Sequence, residues 1–127
     1  MAKRHRAKTI LVIEDEADVR NFAARVLELE GYGVLRAEDG DEGLRLVREH
    51  QPALVLLDLK LPGRNGWAVL EEMKSRPDLS AIPVIVFTAS ASGRDSVLNM
   101  GAVDFLVKPL SAAVLREAVA RALRRKR

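Results

Sequence analysis

Charged and hydroxyl side chains stand at the ends of four short apolar runs in this sequence. They are Glu14 and Asp15 after run 10–13, Asp58 after run 53–57, Thr88 after run 84–87, and Lys108 after run 105–107. Carboxylates, an ammonium group and a hydroxyl together can hold a divalent cation and a phosphoryl group. Open parallel sheets carry their chemistry beyond the carboxyl ends of their strands. If the four runs are strands of one such sheet, the sequence predicts a site that handles phosphoryl groups.

A bound cation would remove a conflict among the three carboxylates. Glu14, Asp15 and Asp58 would lie close together if the first and third strands are neighbours, and their mutual repulsion would raise one pKa. Mg²⁺ suits such a site because it is usually held by one or two carboxylates plus a phosphate oxygen, whereas Ca²⁺ takes more protein oxygens. With Lys108 and Thr88 contacting phosphoryl oxygens, Asp58 is the expected nucleophile.

The elements that must position these groups are βα units. The apolar runs alternate with amphipathic segments, and the first segment carries apolar residues at helical spacing. Those residues are Val19, Phe22, Ala23, Val26 and Leu27. Because the strands are continuously apolar, helices should cover both faces of the sheet. With right-handed crossovers this predicts a doubly wound α/β fold of five parallel strands and five helices, the fourth helix spanning 92–100.

Composition excludes several kinds of site and partner. The 127 residues suffice for one domain and contain no cysteine, so disulfides, thiolate nucleophiles and cysteine-based zinc sites are excluded. Residues 9–115 contain eleven basic and seventeen acidic residues. This acidic body argues against nucleic-acid binding. The first apolar run is too short for a signal peptide or a membrane span, which predicts a cytoplasmic protein without membrane insertion.

The ordered motifs at these strand ends resemble those of a receiver domain of a two-component response regulator. The matching residues are Glu14-Asp15, Asp58 with Pro62 and Gly66, Thr88-Ala89, Phe105, and Lys108-Pro109. The resemblance covers residues 9–123, which we interpret as the receiver domain. It leaves a basic N-terminal extension, 1–8, and a basic C-terminal tail, 124–127, as solvated tails or contacts for an anionic partner.

The resemblance implies a flavodoxin-like sheet with strand order 2-1-3-4-5 and a role for each motif residue. Asp58 would accept a phosphoryl group from a histidine kinase or a histidine phosphotransfer protein. Asp15, Asp58 and the main-chain carbonyl of Lys60 would hold Mg²⁺, and Glu14 would assist through a water molecule. The Lys108–Pro109 peptide bond would be cis.

The resemblance also implies a switch that an output protein reads. Thr88 and Lys108 would reorient toward the phosphoryl group, and Phe105 would turn from an exposed to a more buried position. The surface of the fourth helix, fifth strand and fifth helix would change as a result. Lys60 and Ser90 occupy positions that flank the path of the attacking water in this family, so they would tune the phosphoryl lifetime in a direction that the sequence leaves open.

Other readings of the chain remain open at this point. The chain is either a natural single-domain regulator or a receiver from a larger response regulator with an output domain, and either a monomer or a weak homodimer. A phosphatase of the haloacid dehalogenase type also forms an aspartyl phosphate, but that family places a second aspartate where this chain has Lys60. A degenerate receiver that acts only as an adaptor would lack the acceptor, the acidic pair or the lysine, and all three are present.

Overall fold

Five parallel strands form one central sheet in a computed structural model that describes residues 8–124. The strands are β1 (Thr9–Ile13), β2 (Gly33–Ala37), β3 (Leu54–Asp58), β4 (Val84–Thr88) and β5 (Asp104–Val107). The helices are α1 (Ala17–Leu29), α2 (Gly40–His50), α3 (Gly66–Ser75), α4 (Arg94–Asn99) and α5 (Ala112–Arg124). The strand order β2-β1-β3-β4-β5 confirms the predicted doubly wound fold.

Each face of the sheet has its own hydrophobic core, which explains why the strands are apolar without alternation. Leu11 and Ile13 of β1 pack with buried residues of α2, α3 and α4. Ile10 and Val12 of the same strand pack with buried residues of α1 and α5. Successive side chains of a strand point to opposite faces, so a sheet covered on both sides needs apolar residues at every position. The sheet is therefore fixed from both sides, and its carboxyl edge is left for polar groups.

Side-chain caps define the starts of α2 and α3. The Asp39 carboxylate accepts a hydrogen bond from the Glu42 amide at 2.8 Å, at the start of α2. The Asn65 side chain accepts one from the Ala68 amide at 3.0 Å, at the start of α3. Such caps satisfy amides that have no partner within the helix. They fix where each helix begins relative to the strand before it.

The fourth helix is shorter than the sequence predicts. A single 3₁₀ turn occupies Ala91–Gly93, and the α-helix runs only over Arg94–Asn99. Ser90 begins the turn because its hydroxyl accepts a hydrogen bond from the Ser92 amide at 3.2 Å. Gly93 ends it with a non-helical backbone conformation. The prediction of one continuous helix over 92–100 was therefore wrong at its amino end.

The chain ends bear on two further predictions. Arg124, assigned to the basic tail, lies in α5, and the other residues assigned to the tail, 125–127, lie outside the described part. Residues 1–7 of the basic N-terminal extension also lie outside it. Within residues 8–124, no helix has both the length and the apolar character needed to cross a bilayer.

Candidate functional site

Asp58 lies at the carboxyl end of the central strand and is almost fully buried, with 3% of its surface exposed. Its Oδ2 accepts a hydrogen bond from Lys108 Nζ at 3.0 Å. Its Oδ1 accepts one from the Lys60 amide at 3.2 Å. Both carboxylate oxygens therefore have donors, and the lysine comes from a segment fifty positions further along the chain.

Glu14 has both carboxylate oxygens engaged by protein groups and no exposed surface. Its Oε2 accepts a hydrogen bond from the Glu16 amide at 2.9 Å, and its Oε1 lies 2.7 Å from Lys108 Nζ. Lys108 thus bridges the Glu14 and Asp58 carboxylates, with a longer contact of 3.9 Å to Glu16. Asp15 is exposed at the same edge. The predicted lysine therefore lies within the acidic cluster, as a counter-ion.

Three carboxylates and one ammonium group leave this cluster with an excess of negative charge. One oxygen from each of Glu14, Asp15 and Asp58 lies within 4.8 Å of the others. Burial raises the pKa of the Glu14 carboxyl, and its contact with Lys108 offsets this only in part. Burial alone would lower the pKa of Lys108, but its hydrogen bonds to Glu14 and Asp58 outweigh that effect and raise it. An all-oxygen donor set with unbalanced negative charge fits a hard divalent cation.

A cleft of about 250 Å³ opens over the cluster. Its lining residues are Asp15, Glu16, Asp58, Lys60, Ala89 and Lys108. Thr88 ends β4 beside the cleft, and its main-chain oxygen accepts a hydrogen bond from the Lys108 amide at 2.8 Å. The exposed Ser90 hydroxyl lies 3.0 Å from the Ser92 hydroxyl. The structure thus brings Glu14, Asp15, Asp58 and Lys108 together, with Lys60 on the wall of the cleft.

Phe105 lies away from the cleft and is buried, with 4% of its surface exposed. The resemblance implies a ring that turns from an exposed to a buried position, and the structure has the buried position. The ring packs in the core with Val97 and Ala102, and the Arg94 guanidinium lies 5.8 Å from its centroid. Such a contact between a cation and a ring is attractive. The Lys108–Pro109 peptide bond is cis.

Sequence reasoning missed Arg20, which contacts the acidic loop from α1. Its Nη1 donates to the main-chain oxygen of Glu14 at 2.9 Å and is 3.4 Å from that of Asp15. A signal was present, because a positive side chain near the amino end of a helix opposes the helix dipole. An arginine at such a position indicates a specific partner.

Two glycines allow the start of α3 to pack closely on β3 and on the turn before α4. A Cβ at Gly66 would overlap the main-chain oxygen of Asp58. A Cβ at Gly93 would lie 2.9 Å from the Trp67 ring. Gly66 and Trp67 are adjacent at the start of α3, so the start of this helix packs closely on both segments.

We expect Gly66→Ala to destabilise the fold by about 1–3 kcal/mol, because the added methyl group meets main-chain atoms that cannot rotate away. The measurement is the free energy of unfolding in urea. Gly33→Ala is the matched control, since the nearest atom to its Cβ would be 3.4 Å away. Equal stability of the two variants would contradict the close packing of α3 on the Asp58 strand.

Comparisons with known proteins agree with this fold. The family model described as "Response regulator receiver domain" matches residues 10–120. A relative from Porphyridium aerugineum, described as probable transcriptional regulator ycf27, is 38% identical over 118 residues, covering 91% of this chain and 48% of the relative. The chain thus spans about half the length of the curated relatives it matches.

Solved structures of receiver domains superpose closely on this chain. The receiver domain of NtrX from Brucella abortus has a TM-score of 0.86 at 34% identity, with 92% of this chain and 99% of that one covered. The receiver domain of the Francisella response regulator 1452 has a TM-score of 0.86 at 25% identity, with coverages of 94% and 99%.

Receiver domains act in two-component signalling as phosphorylation-dependent switches and not as classical enzymes. They bind Mg²⁺ at a cluster of acidic residues and interact with histidine kinases and output domains. With its acidic cluster, its lysine and a family match over residues 10–120, this chain belongs to the response regulator receiver domain family.

Proposed function

We propose that this chain is the phosphoacceptor of a two-component phosphorelay, with Asp58 taking the phosphoryl group from a histidine kinase or a histidine phosphotransfer protein. One observation carries the proposal. The nearly buried Asp58 carboxylate lies within 4.8 Å of two other carboxylates and 3.0 Å from the Lys108 ammonium group. A nucleophilic carboxylate, a cation site and a lysine for the phosphoryl oxygens are the parts that such a transfer needs.

Each residue of the cluster has a separate task in this transfer. A carboxylate oxygen of Asp58 forms the new bond to phosphorus while the bond between phosphorus and the donor nitrogen breaks and the donor keeps the electron pair. Lys108 moves from the carboxylates to a phosphoryl oxygen, and the Thr88 hydroxyl donates to another. When bound, Mg²⁺ neutralises the charge that the incoming phosphoryl group brings to the carboxylates.

The donor contacts of Glu14 suggest how the carboxylates divide the work of holding Mg²⁺. Glu14 already accepts from the Glu16 amide and lies against Lys108. Asp15 is exposed and has no such donors among residues 8–124. We propose Asp15, Asp58 and the main-chain carbonyl of Lys60 as direct ligands, as the family resemblance implies, and Glu14, which has no exposed surface, as a residue that acts through a water molecule.

Transfer of Lys108 to the phosphoryl group would pull on the segment that joins β5 to α5. The Lys108 amide is bonded to Thr88, so β4 and β5 would respond together. Phe105, with Arg94 over its ring, lies where β5 meets α4. We propose that the surface of α4, β5 and α5 changes in this way and that an output protein binds it.

Lys60 and Ser90 are proposed to tune how long the phosphoryl group persists. Lys60 is exposed on the wall of the cleft, and the Ser90 hydroxyl is already paired with Ser92. In this proposal both flank the route by which water would reach the phosphoryl group.

A groove of about 450 Å³ beside the cleft offers a donor protein a contact surface. Val19, Phe22, Pro109 and Leu110 form much of its lining, and Lys108 lines both the groove and the cleft. An apolar surface next to the acceptor would let a partner dock while its phosphohistidine reaches Asp58.

We further propose a cytoplasmic location, a monomer or weak homodimer, and a domain of residues 9–123 between basic ends.

The test is phosphorylation by acetyl phosphate, followed by intact mass. We expect one phosphoryl group per chain with Mg²⁺ and none when a chelator removes it, because the carboxylates alone would repel the dianionic donor. An unchanged mass with Mg²⁺ would refute the proposal. Repeated turnover of small phosphomonoesters would instead indicate a phosphatase.

A further inference from the structure

The acidic loop between β1 and α1 receives hydrogen bonds on its main-chain oxygens from Arg20 of α1. Its three residues, Glu14, Asp15 and Glu16, each offer a main-chain oxygen, and all three lie within hydrogen-bond distance of Arg20. The side-chain Nη1 is 2.9 Å from the first oxygen and 3.4 Å from the second. The Arg20 main-chain amide donates to the third at 2.9 Å, which is the first bond of the α1 helix and does not depend on the side chain. The Arg20 side chain thus contacts the main chain of Glu14 and Asp15.

Within residues 8–124 the other contacts of this loop hold Glu14 and Glu16 but not Asp15. The Glu14 amide donates to the main-chain oxygen of Ala37 at 3.0 Å, the Glu16 amide donates to the Glu14 carboxylate, and Lys108 contacts both side chains. The α1 helix begins at Ala17 without a side-chain cap from Glu16, and three successive carboxylates in the loop repel one another. The Asp15 carboxylate is exposed and makes no hydrogen bond or ion pair there. Its direction therefore depends on the main chain that carries it, and Arg20 holds that main chain.

We propose that Arg20 is a positioning residue for Mg²⁺: it holds the acidic loop so that the Asp15 carboxylate faces Asp58. The inference rests on the proposed function, since it assigns a role in the cation site of the same transfer. Arg20 touches neither the cation nor the phosphoryl group. It acts by keeping a ligand in place before the cation arrives, which lowers the cost of ordering the loop on binding.

The positive charge of Arg20 acts in the opposite direction, because it repels Mg²⁺. This repulsion crosses a solvent-exposed edge of the protein, where water and salt screen it. Loss of a residue that orients a metal ligand typically weakens metal binding by about 10- to 100-fold. Positioning should therefore outweigh repulsion, and removal of Arg20 should weaken Mg²⁺ binding.

The experiment is a magnesium chloride titration followed by amide NMR signals in the full chain. We expect Arg20→Met to raise the Kd by about 10- to 100-fold. Arg20→Lys keeps the charge and a donor, so it should restore part of the affinity. Arg25→Met removes the same charge from an exposed position of the same helix and should leave the Kd unchanged. A Kd that stays the same or falls in Arg20→Met would overturn the proposal.

A second measurement needs no metal. In the chelated protein, hydrogen exchange of the Glu16 amide, which donates to Glu14, should be faster in Arg20→Met than in wild type or Arg25→Met. Unchanged exchange would overturn the proposal, and Arg20→Lys allows the same comparison if the methionine variant unfolds. Arg20-dependent Mg²⁺ binding without phosphorylation by acetyl phosphate would refute the phosphoacceptor function alone. A wild-type chain that binds no Mg²⁺ would overturn both.

Discussion

Asp58→Asn is expected to accept no phosphoryl group from acetyl phosphate and Mg²⁺ under conditions in which the wild-type chain accepts one. An amide oxygen is a far weaker nucleophile than a carboxylate, so incorporation should fall by at least about 100-fold. The substitution changes little else, because the amide keeps the shape of the side chain and its oxygen can still accept from the Lys60 amide. Intact mass after a fixed incubation gives the result directly.

The control for this substitution is Asp95→Asn. Asp95 lies exposed in the first turn of α4, outside the cleft, so the same loss of one charge should leave phosphorylation unchanged. Phosphorylation of the Asp58 variant would mean that another carboxylate is the acceptor. Asp15 would then be the first to examine, because it is the exposed member of the cluster.

Lys108→Met is expected to lower the free energy of unfolding by about 3–5 kcal/mol at neutral pH, since removing one partner leaves a buried charge without compensation. The fully buried Glu14 and the nearly buried Asp58 would both lose their shared cation. Lys60→Met provides the control, because it removes the same charge from an exposed side chain. The hydrogen bond of Lys60 to Asp58 comes from its main-chain amide, which the substitution keeps. Urea unfolding of both variants measures the difference.

The stability lost in Lys108→Met should also depend on pH, and the pKa shifts determine whether this loss grows or shrinks as the pH rises. Burial raises the pKa of folded Glu14, so its protonated form stabilises the fold below the ordinary glutamate pKa of about 4.3. That contribution disappears as the pH rises through the raised pKa. Without Lys108 this pKa rises further, because the stabilising cation is gone.

The stability deficit of Lys108→Met should therefore grow between about pH 5 and pH 8. Lys108 itself, with its raised pKa, remains charged over this range in the wild type and keeps its full contribution. A deficit that is the same at both ends of the range would contradict the assignment of Glu14 as the group left without its counter-ion.

Much of the fold was readable from the sequence because hydrophobic burial sets it. Continuous apolar runs such as 54–57 are needed where a strand is covered on both faces, and the sheet has two cores. The residues of the cleft were readable for a related reason. A charge directly after such a run, as at Asp58, must lie at the edge of the sheet.

The sequence could not predict features that depend on close three-dimensional contacts. The shortened α4 depends on Gly93, whose backbone packs against Trp67, a residue 26 positions earlier in the chain. The position of Lys108 between Glu14 and Asp58 depends on side-chain direction, which strand ends alone leave open. The link from Arg20 to the acidic loop arises from hydrogen bonds to main-chain oxygens. Every residue type offers such an oxygen, so the residue types of the loop indicate this link only indirectly.

The packing of Trp67 on Gly93 gives the molecule an optical reporter of its own. Trp67 is the single tryptophan of the chain. Its ring lies against the turn that precedes α4, while the neighbouring Gly66 packs on the main chain of Asp58. Displacement of that turn would change the solvent around the indole, whose emission is sensitive to its surroundings. Unlabelled protein can therefore report in real time whether the Asp58 strand and the turn before α4 move together.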